Sequence, residues 1–252
     1  MKRVQKVIAK TKLLDAAEKR PGSLLSGNRV TGFSVNFPIQ GTCRPSKVCI
    51  ETCYYATATT AWPNSLRKQK WLYEDCVRDP VGFAESVMKE YRKKDLDFLR
   101  WNGGGDLFPE SVVALNHIGE NHPDAVIWIV TRKPDMAALV EDYPNLHLHF
   151  SLDRHSMERR AQALEAMGEG HRPIFFSYQC ERGEEPDVDD LVSRGVSLFF
   201  FDNYRAPDFY IENHTDVLCP LNLNRTEKND ITDSCVDCGK CFDGSWLRGI
   251  EA

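Results

Sequence analysis

The sequence predicts an α/β fold, a partial (β/α)6 TIM-like barrel with a C-terminal cysteine-rich metal-binding extension, and three observations carry that expectation. Six apolar strand-like runs alternate with helix-like segments, a pattern that requires a parallel sheet with right-handed crossovers. Polar and glycine-rich residues gather after the first, second, third, fourth and sixth runs, where a barrel collects its functional loops. Seven of the nine cysteines fall in two compact groups, which in an enzyme-sized chain favours metal over disulfides. The expected organisation is a basic N-terminal helix and turn over 1–30, the barrel with its cysteine loop over 31–212, and the cysteine-rich extension over 213–252.

In the first twenty residues Lys2, Arg3, Lys6, Lys10, Lys12, Lys19 and Arg20 face only Asp15 and Glu18. Val4, Val7, Ile8 and Leu14 recur near helical spacing, so an amphipathic helix packed on the body is expected, with a nucleic-acid contact as the alternative. Turn chemistry follows at Arg20–Ser23 and Ser26–Asn28. A first strand over Gly32–Ile39 runs straight into the cysteine loop, Gly41–Ala56. Two helices, divided near Asp79 and Pro80, fill 64–95. The second strand, Asp97–Asn102, ends in Gly103, Gly104, Gly105 and Asp106, and a helix spans Pro109–Glu120.

The unbroken apolar run Ala125–Val130 predicts a strand buried on both faces, ending in Thr131, Arg132 and Lys133. A helix over 135–142 precedes the alternating strand Leu146–Phe150, which finishes in Ser151 and Asp153. A helix over Ser156–Met167, a strand over Pro173–Tyr178, a helix over Val188–Ser193 and a strand over Val196–Phe201, closing on Asp202 and Asn203, complete the alternation. His147 and His149 share a strand face without a third ligand nearby in sequence, which favours a structural role. Cys76 reads as a packing residue, and so does Cys180, with an extra ligand or reactive thiol as its alternative.

A net charge of −5 over 252 residues gives no general attraction to nucleic acid or anionic membrane. No apolar run approaches the roughly 18 residues needed to span a bilayer, and no signal-like apolar core opens the chain, so a cytoplasmic protein without a membrane partner is expected.

The cysteines carry the chemistry. Cys43, Cys49 and Cys53 look like ligands of an iron–sulfur cluster, and three thiolates leave one position of a four-iron cluster open to a substrate, a cofactor or another side chain. A zinc or other redox-inactive site is the alternative. Cys235, Cys238 and Cys241, spaced C-x2-C-x2-C, form with Cys219 a complete four-thiolate set, expected to hold a second [4Fe-4S] cluster, with structural zinc as the alternative. Arg132, Lys133, Asp153, Asp202, Asn203 and Arg205 at the strand ends suit a polar, anionic ligand, or are solvated charge.

The loop ending in Cys53, Tyr54, Tyr55 and Ala56, the segment Arg100–Phe108, the strand end Trp128–Pro134, Ser151 and the terminal cysteine run resemble the phage gene product 88 family over most of residues 25–242. That family is similar in turn to radical SAM iron–sulfur proteins. The resemblance implies a [4Fe-4S] cluster on Cys43, Cys49 and Cys53 whose open iron takes S-adenosyl-L-methionine, reductive cleavage of that cofactor, and hydrogen abstraction from a polar small-molecule or nucleotide substrate. It implies cofactor contacts at Tyr55, Gly103, Gly104, Gly105, Asp106, Thr131 and Ser151, and substrate contacts at Arg132, Lys133 and Asp153, to which Asp202 and Asn203 are added by their place at a strand end. A flavodoxin- or ferredoxin-type protein would supply the electron. The loop spacing is C-x5-C-x3-C with Thr52 before the last cysteine, where the superfamily pattern is C-x3-C-x2-C with an aromatic there. Two further readings therefore stand beside the first: a SAM-independent iron–sulfur protein on the same barrel, and a nucleic-acid or partner-binding module with structural metal sites.

Overall fold

Side-chain alternation along the strands decides what each face of the sheet carries. In β5 (Leu146–Leu152), Leu146, Leu148, Phe150 and Leu152 enter the main hydrophobic core, so His147, His149 and Ser151 take the other face. The same division holds in β3 (Leu99–Gly104) and β4 (Ile127–Thr131), where Leu99, Trp101, Ile127 and Ile129 are core residues while Arg100 stacks on Trp128 at 4.8 Å across the second face. In β6 (Phe175–Cys180), Phe176, Tyr178 and Cys180 enter the core. The computed structural model describes residues 3–12, 14–28, 31–56, 62–167, 175–181, 183–201, 206–214, 216–219, 235–238 and 241.

These strands belong to one seven-stranded sheet whose order is the chain order. From β2 (Gly32–Asn36) through β7 (Val196–Phe201) every pairing is parallel. β1 (Ser26–Asn28) joins β2 antiparallel, with Ser26 opposite Ser34. The fold is thus mixed α/β around a mostly parallel sheet, open among the described residues. Sequential parallel strands with crossovers of one hand place the connecting helices on one face. α4 (Pro63–Arg78), α5 (Pro80–Lys93) and α6 (Pro109–Asn121) pack on one another there, burying Leu72, Phe83, Val87, Met88 and Leu115. All three start with proline, whose missing N–H costs nothing at a first helical position. Asp79 ends α4 and caps α5, its carboxylate accepting from Gly82 N at 2.9 Å.

Several local expectations change: the first expected strand stops at Asn36, and the second runs on through Gly103 and Gly104. Ser26–Asn28 is an edge strand rather than a turn, because its backbone finds β2 to pair with. The helix expected over 135–142 shrinks to α7 (Pro134–Ala137). Asn116 on α6 donates to Leu139 O and accepts from Glu141 N, both at 3.0 Å, taking the backbone groups a longer helix would use. β5 runs on to Leu152, and α1 (Arg3–Lys12) occupies only half of the basic stretch. Its Val4 and Val7 are buried while Lys6, Lys10 and Lys12 are exposed, which is the packed amphipathic helix expected. α8 (Glu158–Met167), α9 (Val188–Ser193) and α10 (Asp208–Asn213) complete the helices that accompany β5 to β7.

Candidate functional site

β2 delivers the chain to the C-terminal edge of the sheet, where the cysteine loop begins. A kinked turn, α2 (Ile39–Thr42), leads to Cys43, and α3 (Lys47–Thr52) presents Cys49 and stops at Cys53. Ser46 caps α3, accepting from Cys49 N at 3.1 Å. Cys43 and Cys53 pack in one apolar cluster with Val4, Val7, Ile39, Tyr55, Ala56 and Leu66, so α1 lies over the loop. A hydrogen bond between Cys49 and Cys53 pushes the first thiol's pKa up and holds the second down; burial, then the nearby Asp106 and Cys49, push Cys43 up.

Charged side chains from three strand ends fasten this loop. Asp153, after β5, is wholly buried. It accepts from Ser46 Oγ and, at 2.5 Å, from Nη1 of Arg132, whose Nη2 reaches Gln179 Oε1 of β6 at 2.8 Å. Burial raises the Asp153 carboxyl, and Arg132 with Ser46 more than offsets it, leaving the group below its ordinary range. Removing one partner of such a buried pair costs about 3–5 kcal/mol. A second tie uses Asp106, whose N–H donates to Thr42 Oγ1 at 3.1 Å. Its carboxylate accepts from Thr131 Oγ1 at 2.6 Å, from Leu107 N at 2.8 Å and from Arg132 N at 3.3 Å. Lys133 Nζ donates to Leu107 O at 2.6 Å.

The glycine run makes room for the loop itself. Any side chain at Gly104 would overlap the Tyr55 ring. At Gly105, φ is +82° and a Cβ would lie 2.8 Å from Phe37 O, so only glycine suits that position. Gly103 abuts Ser34 and Asn36. Of the residues picked from sequence, the structure brings together Thr131 with Asp106, Arg132 with Asp153, and Tyr55 with Gly104. Ser151 lies opposite Ser177 on the second face. Asp202, Asn203 and Arg205 lie outside the described residues.

The second cysteine group rests on that face. Cys219 is placed by backbone pairing with β7, its N–H donating to Phe199 O at 3.0 Å. Cys235 and Cys238 open and close one helical turn, α11 (Cys235–Cys238). Cys219 packs with Phe175, Leu198 and Cys241, and His149 Nε2 donates to Cys241 O at 2.7 Å while its ring stacks on Phe175 at 4.1 Å. Burial keeps that imidazole neutral, its pKa pushed down to about 3. Burial, then the charges of Cys219, Cys235 and Cys238, push the Cys241 thiol up. Cys76 and Cys180 are buried in the main core, away from both groups.

Several contributors escaped the sequence. Ser46 carries a readable signal, a helix-capping residue three positions before Cys49. Gln179 carries none. Asn102 holds a left-handed backbone, φ 61°, and is buried, with no partner for its Oδ1 among the described residues. It stands where β3 bulges against β2; an asparagine before three glycines was its only trace.

The donor sets suit soft metals. Three thiols on the loop and four on the second face are ligands that select iron–sulfur clusters or zinc. No helix among the described residues is long and apolar enough to cross a membrane. No curated protein and no solved structure matches the chain. The family model of gene product 88 matches residues 4–244, nearly the whole sequence, and the chain therefore belongs to the gene product 88 family.

Proposed function

We propose that this is an iron–sulfur enzyme of radical SAM type, built on a partial (β/α)6 barrel. Cys43, Cys49 and Cys53 would hold a [4Fe-4S] cluster with one open iron, and Cys219, Cys235, Cys238 and Cys241 an auxiliary cluster. The observation that carries this reading is the unequal pair of donor sets. The C-terminal group offers four thiols, a set that needs nothing more, whereas the loop offers three and sits at the strand ends where such a fold places its chemistry. In-order parallel strands support the barrel.

When bound, the loop cluster supplies a single electron at low potential and a coordination site for S-adenosyl-L-methionine. The chain's own residues do the rest. α1 covers the loop with Val4 and Val7 and excludes water. The Arg132–Asp153–Ser46 tie holds Cys49 in place. Asn102, whose buried Oδ1 has no partner among the described residues, would meet a polar substrate on the face that also carries the second cysteine group. Anaerobic reconstitution should give about eight irons per chain, and dithionite with S-adenosyl-L-methionine should yield 5′-deoxyadenosine. A fully loaded, reduced protein that leaves the cofactor intact would sink this reading.

One observation favours a SAM-independent iron–sulfur protein instead. Tyr55 fills the surface of Gly104, and the Asp106 carboxylate is already occupied by Thr131, Leu107 N and Arg132 N. An electron paramagnetic resonance spectrum indifferent to S-adenosyl-L-methionine would select it, and zinc in place of iron at the second group would make that site structural.

A further inference from the structure

Outside both cysteine groups, in the helix layer, Glu85 of α5 meets two imidazoles of α6 and its cap. Glu85 Oε1 lies 2.7 Å from Nε2 of His117 and 2.9 Å from Nε2 of His122. The three ligand atoms all lie within 4.8 Å of one another, the only such trio among the described residues. Helical spacing alone does not align His117 with His122, five positions on. The helix stops at Asn121, and His122 adopts φ −132° and ψ 60°, with Pro123 barring continuation. The His122 carbonyl is held by Asn145 Nδ2 at 2.9 Å. The chain end of α6 is thus shaped so that the second ring folds back toward the first, and the centroids stand 6.0 Å apart.

We propose that Glu85, His117 and His122 form a binding site for a divalent cation of the zinc class. Two imidazoles and one carboxylate are a donor set that zinc accepts with water in the fourth position, and Glu85, whose side chain is 51% exposed, leaves that side open to solvent. Without the cation the trio is a hydrogen-bonded clasp. Arg92 Nη2 lies 2.7 Å from His122 Nδ1; arginine can only donate, so Nδ1 accepts and Nε2 carries the proton toward Glu85. Asn121 Nδ2 stands 3.2 Å from His117 Nδ1 in the same sense. The hydrogen bonds that Glu85 accepts from His117 and His122 hold its carboxyl below its ordinary range.

Cation binding takes the Nε2 lone pairs, so each Nε2 proton is exchanged through solvent for one on Nδ1 of the same ring, which stays neutral, and nothing is oxidised or reduced. At His122 the new Nδ1–H faces Arg92, which turns to Asp124, already 3.6 Å away. Arg92 therefore competes with the cation.

The test is a titration of the full reduced chain with zinc chloride, read by long-range proton–nitrogen NMR of the imidazoles, because the cysteines also bind zinc and give no signal there. The His117 and His122 nitrogens should move together to metal-bound values, whatever shift His149 shows from its hydrogen bond to Cys241 O as the cysteines fill. Glu85→Gln keeps an amide oxygen for both N–H donors, so the clasp survives, but affinity should fall about tenfold or more. Arg92→Ala should tighten binding about three- to tenfold. Both replaced side chains are half-exposed, so the variants fold. His117 and His122 signals that stay fixed while the cysteines fill, or an affinity unchanged in Glu85→Gln, would overturn the proposal and leave a hydrogen-bonded clasp only.

Discussion

The loop thiols Cys43, Cys49 and Cys53 are fastened by a polar lattice reaching β3, β4, β5 and β6, whereas, among the described residues, the C-terminal group rests on Phe175 and Leu198, with a backbone hydrogen bond from Cys219 to Phe199 and an imidazole hydrogen bond from His149. On the proposed reading, the difference follows from what each donor set lacks. A four-thiolate set encloses its metal and needs only an apolar seat. Three thiolates hold an open position in a defined place only if the surrounding chain does so, and buried charge pairs and short hydrogen bonds impose direction where apolar packing does not.

Several substitutions break or sharpen that contrast. Cys49→Ala should lose about half the iron and all cofactor cleavage, while Cys238→Ala should lose the other half and keep the cofactor-sensitive signal; iron analysis and activity check both. Asp153→Ala strands Arg132 and frees Ser46, which should cost about 3–5 kcal/mol in denaturant unfolding and empty the loop site while the C-terminal site stays filled. Gly104→Ala forces a methyl into the Tyr55 ring and should cost about 1–3 kcal/mol; combining it with Tyr55→Ala should recover part of the loss, a coupling a double-mutant cycle would measure. His149→Phe keeps a ring against Phe175 but removes the bond to Cys241 O. It should cost about 1 kcal/mol and perturb only the C-terminal site's spectrum.

What was legible in sequence was whatever period and spacing alone determine. The alternation of β5, the apolar run of β4 and the two cysteine groups needed no partner to be recognised. Features that depend on a distant partner were not. Asp153 looks like an open ligand until Ser46, 107 positions away, is beside it. The run Gly103–Gly105 signals room without saying that Tyr55, Phe37 and Thr42 occupy it. The shortened α7 depends on the Asn116 side chain intruding on backbone groups of another element. The three residues of β1 carry turn chemistry and become a strand only because β2 offers an edge.

The most direct test of an open cluster on the loop is the electron paramagnetic resonance spectrum of anaerobically reconstituted, dithionite-reduced Cys238→Ala protein, recorded with and without S-adenosyl-L-methionine. The loop thiols alone should support a four-iron signal that shifts when the cofactor is added. Protein that binds no iron once the C-terminal set is broken, or that fills the loop with zinc, would contradict it.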